Sequence, residues 1–209
     1  MNPRASTERS GLVHSDLPPD PPIEAPQPGQ ARFGPGVEAF DEAADRWLER
    51  FRGDPVLDRV MTIATHAGEF SAIWHVSSVV RGLARGRPEQ IVALAIGIGA
   101  ESLLVNQGLK RIFRRPRPTT SGDQRFEIRT PLTSSFPSGH ASAASFAAVC
   151  LVGWDGRRWA PLWLPMAATV VVSRPYVRIH HASDVVGGVV AGAAMGLVAR
   201  RIFRRLQLG

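Results

Sequence analysis

The apolar runs that follow the first quarter of the chain most strongly constrain what it can fold into. Four runs with few charges cover residues 91–109, 141–154, 159–172 and 185–202, and two weaker runs precede them, at 55–66 and 70–80. Such runs are typical of helices that cross a bilayer, although several are shorter than the roughly 20 residues that a spanning helix needs. Polar residues at their ends must therefore extend them. We predict an all-α integral membrane helical bundle of about five to six membrane helices, of which 55–66 is the doubtful one.

The beginning of the chain has a different composition. Residues 1–36 are rich in Pro, Ser, Asp and Glu and poor in aliphatic residues, which predicts a disordered tail. This segment also lacks the apolar core of a signal peptide. Residues 37–52 carry apolar side chains at helical spacing, which predicts an amphipathic helix lying on the membrane or on the domain. We assign residues 53–209 to the membrane domain. The apolar residues of the amphipathic helix are Val37, Phe40, Ala44, Trp47 and Phe51.

The arginines indicate an orientation in the membrane. The formal net charge is +7, but the basic residues cluster at the ends of apolar runs and form no basic helix face, so we expect no nucleic-acid partner. Clusters at residues 81–87, 157–158 and 200–205 fall on one face when the spans alternate, and the positive-inside rule makes that face cytoplasmic. We therefore expect an inner-membrane protein with both termini in the cytoplasm. The polar motifs described below would lie on the extracytoplasmic face.

Two further features concern helix packing and covalent cross-links. Gly188, Gly192 and Gly196 recur every four residues in the last apolar run, which predicts close approach to a neighbouring helix, although small residues are also common in membrane sequences of this composition. The single cysteine, Cys150, excludes disulfides and cysteine-based metal sites within the chain.

Basic residues in three polar motifs fit a bound phosphate. Lys110 is the only lysine among 25 Lys and Arg residues, which suggests that this position needs a compact ammonium group. Arg117 and Arg174 can each bind phosphate oxygens in bidentate geometry. Ser138 and Gly139 directly precede an apolar helix, whose first backbone N–H groups form an anion site. Because Gly139 has no side chain, a phosphate oxygen can approach its backbone closely.

Two histidines and an aspartate supply groups for phosphoryl chemistry. His180 is a candidate nucleophile, because on a helix it would share a face with Asp184, whose carboxylate could fix the ring tautomer. His181 competes for this role, since it lies three residues from Asp184. His140 fits a general acid that protonates the leaving oxygen and later a base that activates water.

Taken together, the three motifs resemble the signature of the type 2 phosphatidic acid phosphatase (PAP2) superfamily, which includes membrane lipid phosphatases, soluble acid phosphatases and vanadium haloperoxidases. The first matching element is Lys110 followed, after six residues, by Arg117-Pro118, and the second is Pro137-Ser138-Gly139-His140. The third is Ser173-Arg174 followed, after five residues, by His180 and, after three more, by Asp184. This resemblance implies a PAP2-type helical bundle, His180 rather than His181 as the nucleophile, and a phosphohistidine intermediate. It also implies that neither a metal nor another cofactor takes part.

From the motifs and the resemblance we predict a phosphoric monoester or diphosphate hydrolase that acts on a membrane lipid. Polyprenyl diphosphate, phosphatidic acid and phosphatidylglycerol phosphate all fit such a site. The sequence does not choose among these lipids, and it gives no oligomeric state. Two alternatives stay open: a vanadium-dependent haloperoxidase-like enzyme, and a catalytically silent membrane lipid-binding protein.

Overall fold

The computed structural model describes residues 33–119, 123–126, 128, 130 and 133–208. Helices account for most of these residues, and no strand occurs among them. The α-helices are α1 (Pro35–Glu49), α2 (Pro55–Ala67), α3 (Ala72–Ala84), α4 (Pro88–Leu103), α5 (Lys110–Ile112), α6 (Gly139–Asp155), α7 (Ala160–Tyr176) and α8 (Ala182–Arg205). Residues 1–32 of the predicted tail lie outside the described residues. The predicted amphipathic helix is α1, which begins two residues earlier than expected.

The bundle is built around α6 and α8, which approach closely because α8 presents glycines to α6. A Cβ atom at Gly188 would lie 2.4 Å from the carbonyl oxygen of Ser138, and one at Gly192 would lie 2.0 Å from that of Ser142. A side chain fits at neither position, so the predicted glycine stripe does form a helix–helix contact. An apolar core surrounds this contact, with Trp74, Leu94, Phe146, Cys150, Leu151 and Trp163 among its buried members.

Two ends of the bundle can be distinguished by their charges. We call the end that holds the first residues of α6 and α8 the motif end, and the opposite end, where α6 finishes at Asp155, the basic end. There Asp155 accepts a hydrogen bond from Arg81 at 2.8 Å, and the guanidinium of Arg85 lies 5.3 Å from the ring centroid of Trp159. Arginines from different clusters thus gather opposite the motifs. Which end faces the cytoplasm stays a prediction.

Residues 55–66, the doubtful span, do not cross the bundle on their own. They form α2, which lies beside the last turns of α7 through hydrogen bonds from Tyr176 to Asp58 (2.6 Å) and from Thr65 to Ser173 (3.0 Å). The chain then breaks at residues 70–71, both of which have left-handed φ angles, and α3 continues to the basic end. One passage through the bundle is therefore shared by α2 and α3.

Two helical stretches among the described residues are long and apolar enough to cross a membrane. They are Pro88–Ile112, of 25 residues, and Ala182–Arg205, of 24 residues. The outer faces of the bundle also carry exposed large apolar side chains, a surface typical of contact with lipid: Val76, Val80, Leu83, Val92, Ile96 and Val190. The predicted number of five to six membrane helices is not established by these two stretches and stays a prediction.

The stretch Pro88–Ile112 is not a uniform α-helix. Between α4 and α5 it contains a π-helical turn, Leu104–Leu109, in which one extra residue widens the turn. Such turns occur often at functional sites. Here the π turn directly precedes Lys110, which is the first residue of α5.

Helix α1 packs on the motif end through its polar face. Asp41 and Leu48 are buried, whereas Phe40, Trp47 and Phe51 are exposed. The apolar stripe from which the helix was predicted therefore points away from the domain. The polar face of α1 forms ion pairs with the rest of the domain, which are described below.

The described ends of the chain lie at opposite ends of the bundle. Helix α1 is at the motif end, whereas the carbonyl oxygen of Leu208 accepts a hydrogen bond from Gln90, at the start of α4, at 2.8 Å. The prediction that both termini lie in the cytoplasm stays a prediction, because residues 1–32 lie outside the described residues.

The contact between α6 and α8 can be tested at Gly192. We expect Gly192→Ala to destabilise the protein by about 1–3 kcal/mol, because the added methyl group overlaps a carbonyl oxygen of α6. Thermal unfolding of the detergent-solubilised protein measures the loss. The matched control is Gly99→Ala on α4, where a Cβ atom meets nothing within 4 Å. Equal melting temperatures for the two variants would contradict this account of the packing.

Candidate active site

The first turn of α6 forms the floor of the candidate site. Ser138 caps this helix, and its hydroxyl accepts a hydrogen bond from the N–H group of Ala141 at 3.4 Å. The N–H group of Ser138 donates to the carbonyl oxygen of Asp184 at 3.0 Å. This bond fixes the start of α6 against the start of α8. The site therefore contains the positive end of a 17-residue helix, which favours an anion.

Lys110 approaches this floor from α5. A Cβ atom at Gly139 would lie 3.8 Å from Nζ of Lys110 and 3.4 Å from Oδ1 of Asn106. The ammonium group therefore faces the glycine that begins α6, as a phosphate cradle requires. Asn106 is a site neighbour that the sequence analysis missed. The available signal was an amide residue near the end of a mainly apolar run.

Arg117 contacts the candidate nucleophile directly. Its Nη1 lies 3.1 Å from Nε2 of His180 and donates to the carbonyl oxygen of Ile179 at 2.7 Å. Because a guanidinium can only donate, the contact with His180 requires that Nε2 carries no proton. The hydrogen of the neutral ring then lies on Nδ1, and the lone pair of Nε2 points towards the cationic side chain.

Asp184 lies on the other side of the His180 ring. Its Oδ2 is 3.6 Å from Nδ1 of His180, close but longer than a hydrogen bond. The pair was predicted to share a helix face. In the structure His180 precedes α8, which starts at Ala182, and the turn before the helix brings the two side chains together. His181 contacts Asp184 differently, since its backbone N–H group donates to Oδ2 at 2.9 Å. The Asp184 carboxylate thus also caps α8.

Arg174 and His140 complete the group of predicted residues. Arg174 is 2% exposed, yet its Nε and Nη1 atoms have no hydrogen-bond partner among the described residues. The buried Nε2 atom of His140 has none either. A buried guanidinium is costly unless an anion pairs with it. Unsatisfied donors next to the α6 N-terminus and Lys110 therefore indicate a site built for an anion such as phosphate.

The protonation states suit nucleophilic attack on such an anion. Burial lowers the pKa of His180 to about 3; Asp184 opposes this shift, and the Arg117 charge adds to it. His180 is therefore neutral at physiological pH. Burial also lowers the pKa of Arg117, to about 10, which leaves its guanidinium charged. A neutral imidazole thus lies beside a permanent cation.

The eight predicted site residues are brought together at the motif end. They come from the end of the Pro88–Ile112 stretch, the segment after it, the start of α6, the end of α7 and the turn before α8. These residues are Lys110, Arg117, Ser138, Gly139, His140, Arg174, His180 and Asp184. Among the described residues, no group of three or more His, Cys, Asp or Glu side chains is arranged to hold a metal ion.

Comparison with known proteins decides the family. A family model described as the PAP2 superfamily matches residues 90–208. The chain belongs to this superfamily. The match covers more than half of the chain and includes all three motifs, whereas α1, α2 and α3 precede it. The predicted PAP2-type phosphatase is thereby confirmed.

Relatives and a solved structure agree with this assignment. The decaprenylphosphoryl-5-phosphoribose phosphatase of Mycobacterium tuberculosis is 31% identical over 150 residues, which are 68% of this chain and 81% of the relative. The enzyme of the same name from Mycolicibacterium smegmatis is 36% identical over 127 residues, or 59% and 67% of the two chains. A transmembrane PAP2-type phosphatidylglycerolphosphate phosphatase from Bacillus subtilis matches with a TM-score of 0.66 and 24% identity, covering 83% and 89%. This last likeness shows the fold.

The PAP2 site contains further residues that sequence reasoning missed. Arg115 donates from Nη1 to Oδ1 of Asp184 at 2.6 Å, and the hydroxyl of Ser135 donates to Oδ2. Asp41, on α1, accepts from Arg115 at 2.6 Å. Arg115 lies inside the first motif but outside its matched positions, and Asp41 lies 74 residues away from it. No local pattern distinguishes these two from solvated surface charges.

The unpaired guanidinium gives a test of the anion site. We expect Arg174→Met to raise the unfolding free energy of the ligand-free phosphatase by roughly 1 kcal/mol or more, because it removes a buried charge whose Nε and Nη1 atoms have no hydrogen-bond partner among the described residues. We also expect the stabilisation of the wild-type protein by millimolar phosphate to disappear. Differential scanning fluorimetry in detergent measures both effects.

The matched control is Arg59→Met, which removes an exposed arginine of α2 and should change neither quantity. If Arg174→Met responds to phosphate as strongly as the wild-type protein does, Arg174 is not part of an anion site.

Proposed function

We propose that this PAP2 phosphatase removes a terminal phosphate from a membrane lipid, through a phosphohistidine formed on Nε2 of His180. The contact between Arg117 and the unprotonated Nε2 atom carries this proposal. In this contact the lone pair of Nε2 lies beside the guanidinium of Arg117. An incoming phosphate would bind to the same guanidinium and so meet the lone pair. The exposed apolar surface of the bundle and the two long apolar helices support a lipid substrate.

In the first step the phosphate would bind between Lys110, Arg174, Arg117 and the N-terminus of α6. These groups compensate the charge on the three equatorial oxygens, which is the main requirement of phosphoryl transfer. Nε2 of His180 forms a bond to phosphorus while the bond from phosphorus to the lipid oxygen breaks. The leaving oxygen would take a proton from His140, whose Nε2 is buried and has no hydrogen-bond partner among the residues that the structure describes.

In the second step water would attack the phosphohistidine. His140, now neutral, takes a proton from the water as the new oxygen–phosphorus bond forms. The bond between phosphorus and Nε2 breaks, which regenerates His180 and releases inorganic phosphate. Asp184 faces Nδ1 throughout, so its carboxylate can stabilise the positive charge that the ring carries as the phosphohistidine.

The surroundings of Lys110 suggest the class of lipid. A cavity of about 480 Å³ adjoins Lys110 and has no carboxylate among its described lining residues. Arg114 lines it and has no hydrogen bond or ion pair with any described residue, whereas Arg111 donates to Gln107 at 2.6 Å. An open, positively charged cavity beside the scissile phosphate suits a head group with hydroxyls and a second phosphate.

The names of the relatives point to the same kind of head group. By its name, a decaprenylphosphoryl-5-phosphoribose carries two phosphoryl groups. One joins the prenyl chain to the ribose as a phosphodiester, and the other is the terminal phosphate on the ribose. We propose that the substrate of this chain is a polyprenyl-linked lipid with two phosphoryl groups, either a sugar phosphate or a diphosphate. The terminal group would bind at His180 and the second in the cavity lined by Arg111 and Arg114.

The phosphohistidine can be tested with an aryl phosphate, whose leaving group needs no proton. We expect wild-type protein in detergent to release phosphate with excess EDTA present, and His180→Ala to lose activity by about 10³-fold or more. His140→Asn should still be phosphorylated but should lose the base that activates water. It should therefore release one equivalent of phenolate in a burst and accumulate an acid-labile phosphoenzyme.

The control for both histidine variants is His66→Asn, which alters a half-exposed ring outside the group of eight. Phosphate release that survives in His180→Ala would refute the phosphohistidine. Wild-type protein without activity towards any phosphate ester would favour the catalytically silent alternative.

The head-group assignment is tested by comparing substrates. We expect Arg114→Gln to raise KM about tenfold or more for a polyprenyl diphosphate or polyprenyl phosphoryl pentose phosphate, since a charge-assisted hydrogen bond is lost. For phosphatidic acid, which has a single phosphate, KM should change less than twofold. Arg59→Gln is the matched control. An equal rise in KM for all these lipids would contradict a subsite for the second phosphate.

A further inference from the structure

Helix α1 lies outside residues 90–208, which the family model matches, yet one of its side chains belongs to the hydrogen-bond network of the site. Asp41 is 7% exposed. Its Oδ1 accepts from the N–H group of Ser183 at 2.7 Å, and its Oδ2 accepts from the hydroxyl of the same serine at 2.7 Å. Asp41 therefore caps the first turn of α8, one residue before Asp184.

Arg115 joins this aspartate to the one that faces the nucleophile. Its Nη2 donates to Oδ2 of Asp41 at 2.6 Å, and its Nη1 donates to Oδ1 of Asp184 at 2.6 Å. The guanidinium also lies 4.9 Å from the ring centroid of Phe33. Both carboxylates are nearly inaccessible to solvent. One buried cation is thus shared between two buried anions.

This sharing matters for the charge that Asp184 offers to His180. If Arg115 had Asp184 as its only anionic partner, the pair would be electrically neutral. With Asp41 present, the three side chains together keep one net negative charge next to the imidazole. That charge is needed most when His180 carries the phosphoryl group and its ring becomes positive, because electrostatic stabilisation is strong in a site shielded from water.

We propose that α1 is a working part of the active site, in which Asp41 acts through Arg115 to position Asp184 and to keep its negative charge available to His180. This proposal rests on the proposed function. Asp41 and Arg115 touch no reacting atom, so both are positioning residues. Their effect should appear in kcat, because the ring becomes positive only during turnover, and much less in KM.

Other contacts hold α1 in place independently of Asp41. Leu48 packs into an apolar cluster at the motif end. Asp45 accepts from Arg52 at 2.6 Å and from Arg178 at 2.8 Å, and Glu49 accepts from Arg125 at 2.9 Å. A conservative change at Asp41 therefore leaves α1 docked, which allows its charge to be tested separately from its folding.

The first experiment measures kcat and KM for the hydrolysis of an aryl phosphate by Asp41→Asn, with the full chain in detergent. The variant keeps the shape of the side chain but removes its charge. We expect kcat to fall about tenfold with KM within twofold of wild type, and Asp41→Glu to recover part of the loss. The control is Glu42→Gln, which removes the same charge from the exposed face of the same helix and should retain wild-type kcat. A kcat for Asp41→Asn equal to that of Glu42→Gln would overturn the proposal.

A second measurement tests the route through Arg115. In an Arg115→Met background, Asp41→Asn should cause no further loss of kcat, because the residue that transmits its effect is already missing. If Asp41→Asn lowered kcat by the same factor in the Arg115→Met background as in the wild-type protein, Asp41 would act by another route and the proposal would be overturned. If Arg115→Met does not fold, Arg115→Lys serves as the background, and the tenfold effect of Asp41→Asn should shrink because an ammonium cannot bridge both carboxylates in the same way. An inactive wild-type protein would instead refute the proposed function.

Discussion

The close approach of α6 and α8 is the constraint on which the rest of the site depends. Where α8 carries Gly188 and Gly192, the carbonyl groups of α6 lie so near that no side chain would fit. The N–H group of Ser138 can then bond to the backbone of Asp184. As a result, the helix end that is proposed to bind an anion and the turn that carries His180 are held at a fixed separation. The packing of α6 against α8 consequently sets the geometry of the site in this phosphatase.

Three arginines buried at the motif end show how the protein distributes positive charge. Arg52 donates to the last carbonyl groups of α7 and to carboxylates of α1, and Arg115 bridges two aspartates. Both are paired with carboxylates by the fold. Arg174 lies one residue before the carbonyl groups that Arg52 binds, yet Nε and Nη1 of its guanidinium have no hydrogen-bond partner in the part of the chain that the structure describes. The fold therefore pairs two of these cations with carboxylates, and the third supports the proposed binding of an external anion.

The sequence was sufficient to predict the helical class, the glycine contact and the meeting of eight site residues, because apolar periodicity and motif spacing place those residues at helix ends. It was insufficient for Asp41 and Arg115, whose contact depends on tertiary packing between segments far apart in the chain. It left open whether α1 lies on the membrane or on the domain, since an apolar stripe does not tell whether it faces the protein or its surroundings. Here the ion pairs of Asp41 and Asp45 decide that the polar face docks.

The π turn before Lys110 also determines where that side chain points. Successive residues of an α-helix are rotated by about 100°, so one extra residue in a turn changes the direction of everything after it. On an uninterrupted α-helix through residues 104–109, the ammonium group would project to a different side of the helix and away from Gly139. The only lysine of the chain therefore owes its place in the site to an irregularity of backbone hydrogen bonding as much as to its own chemistry.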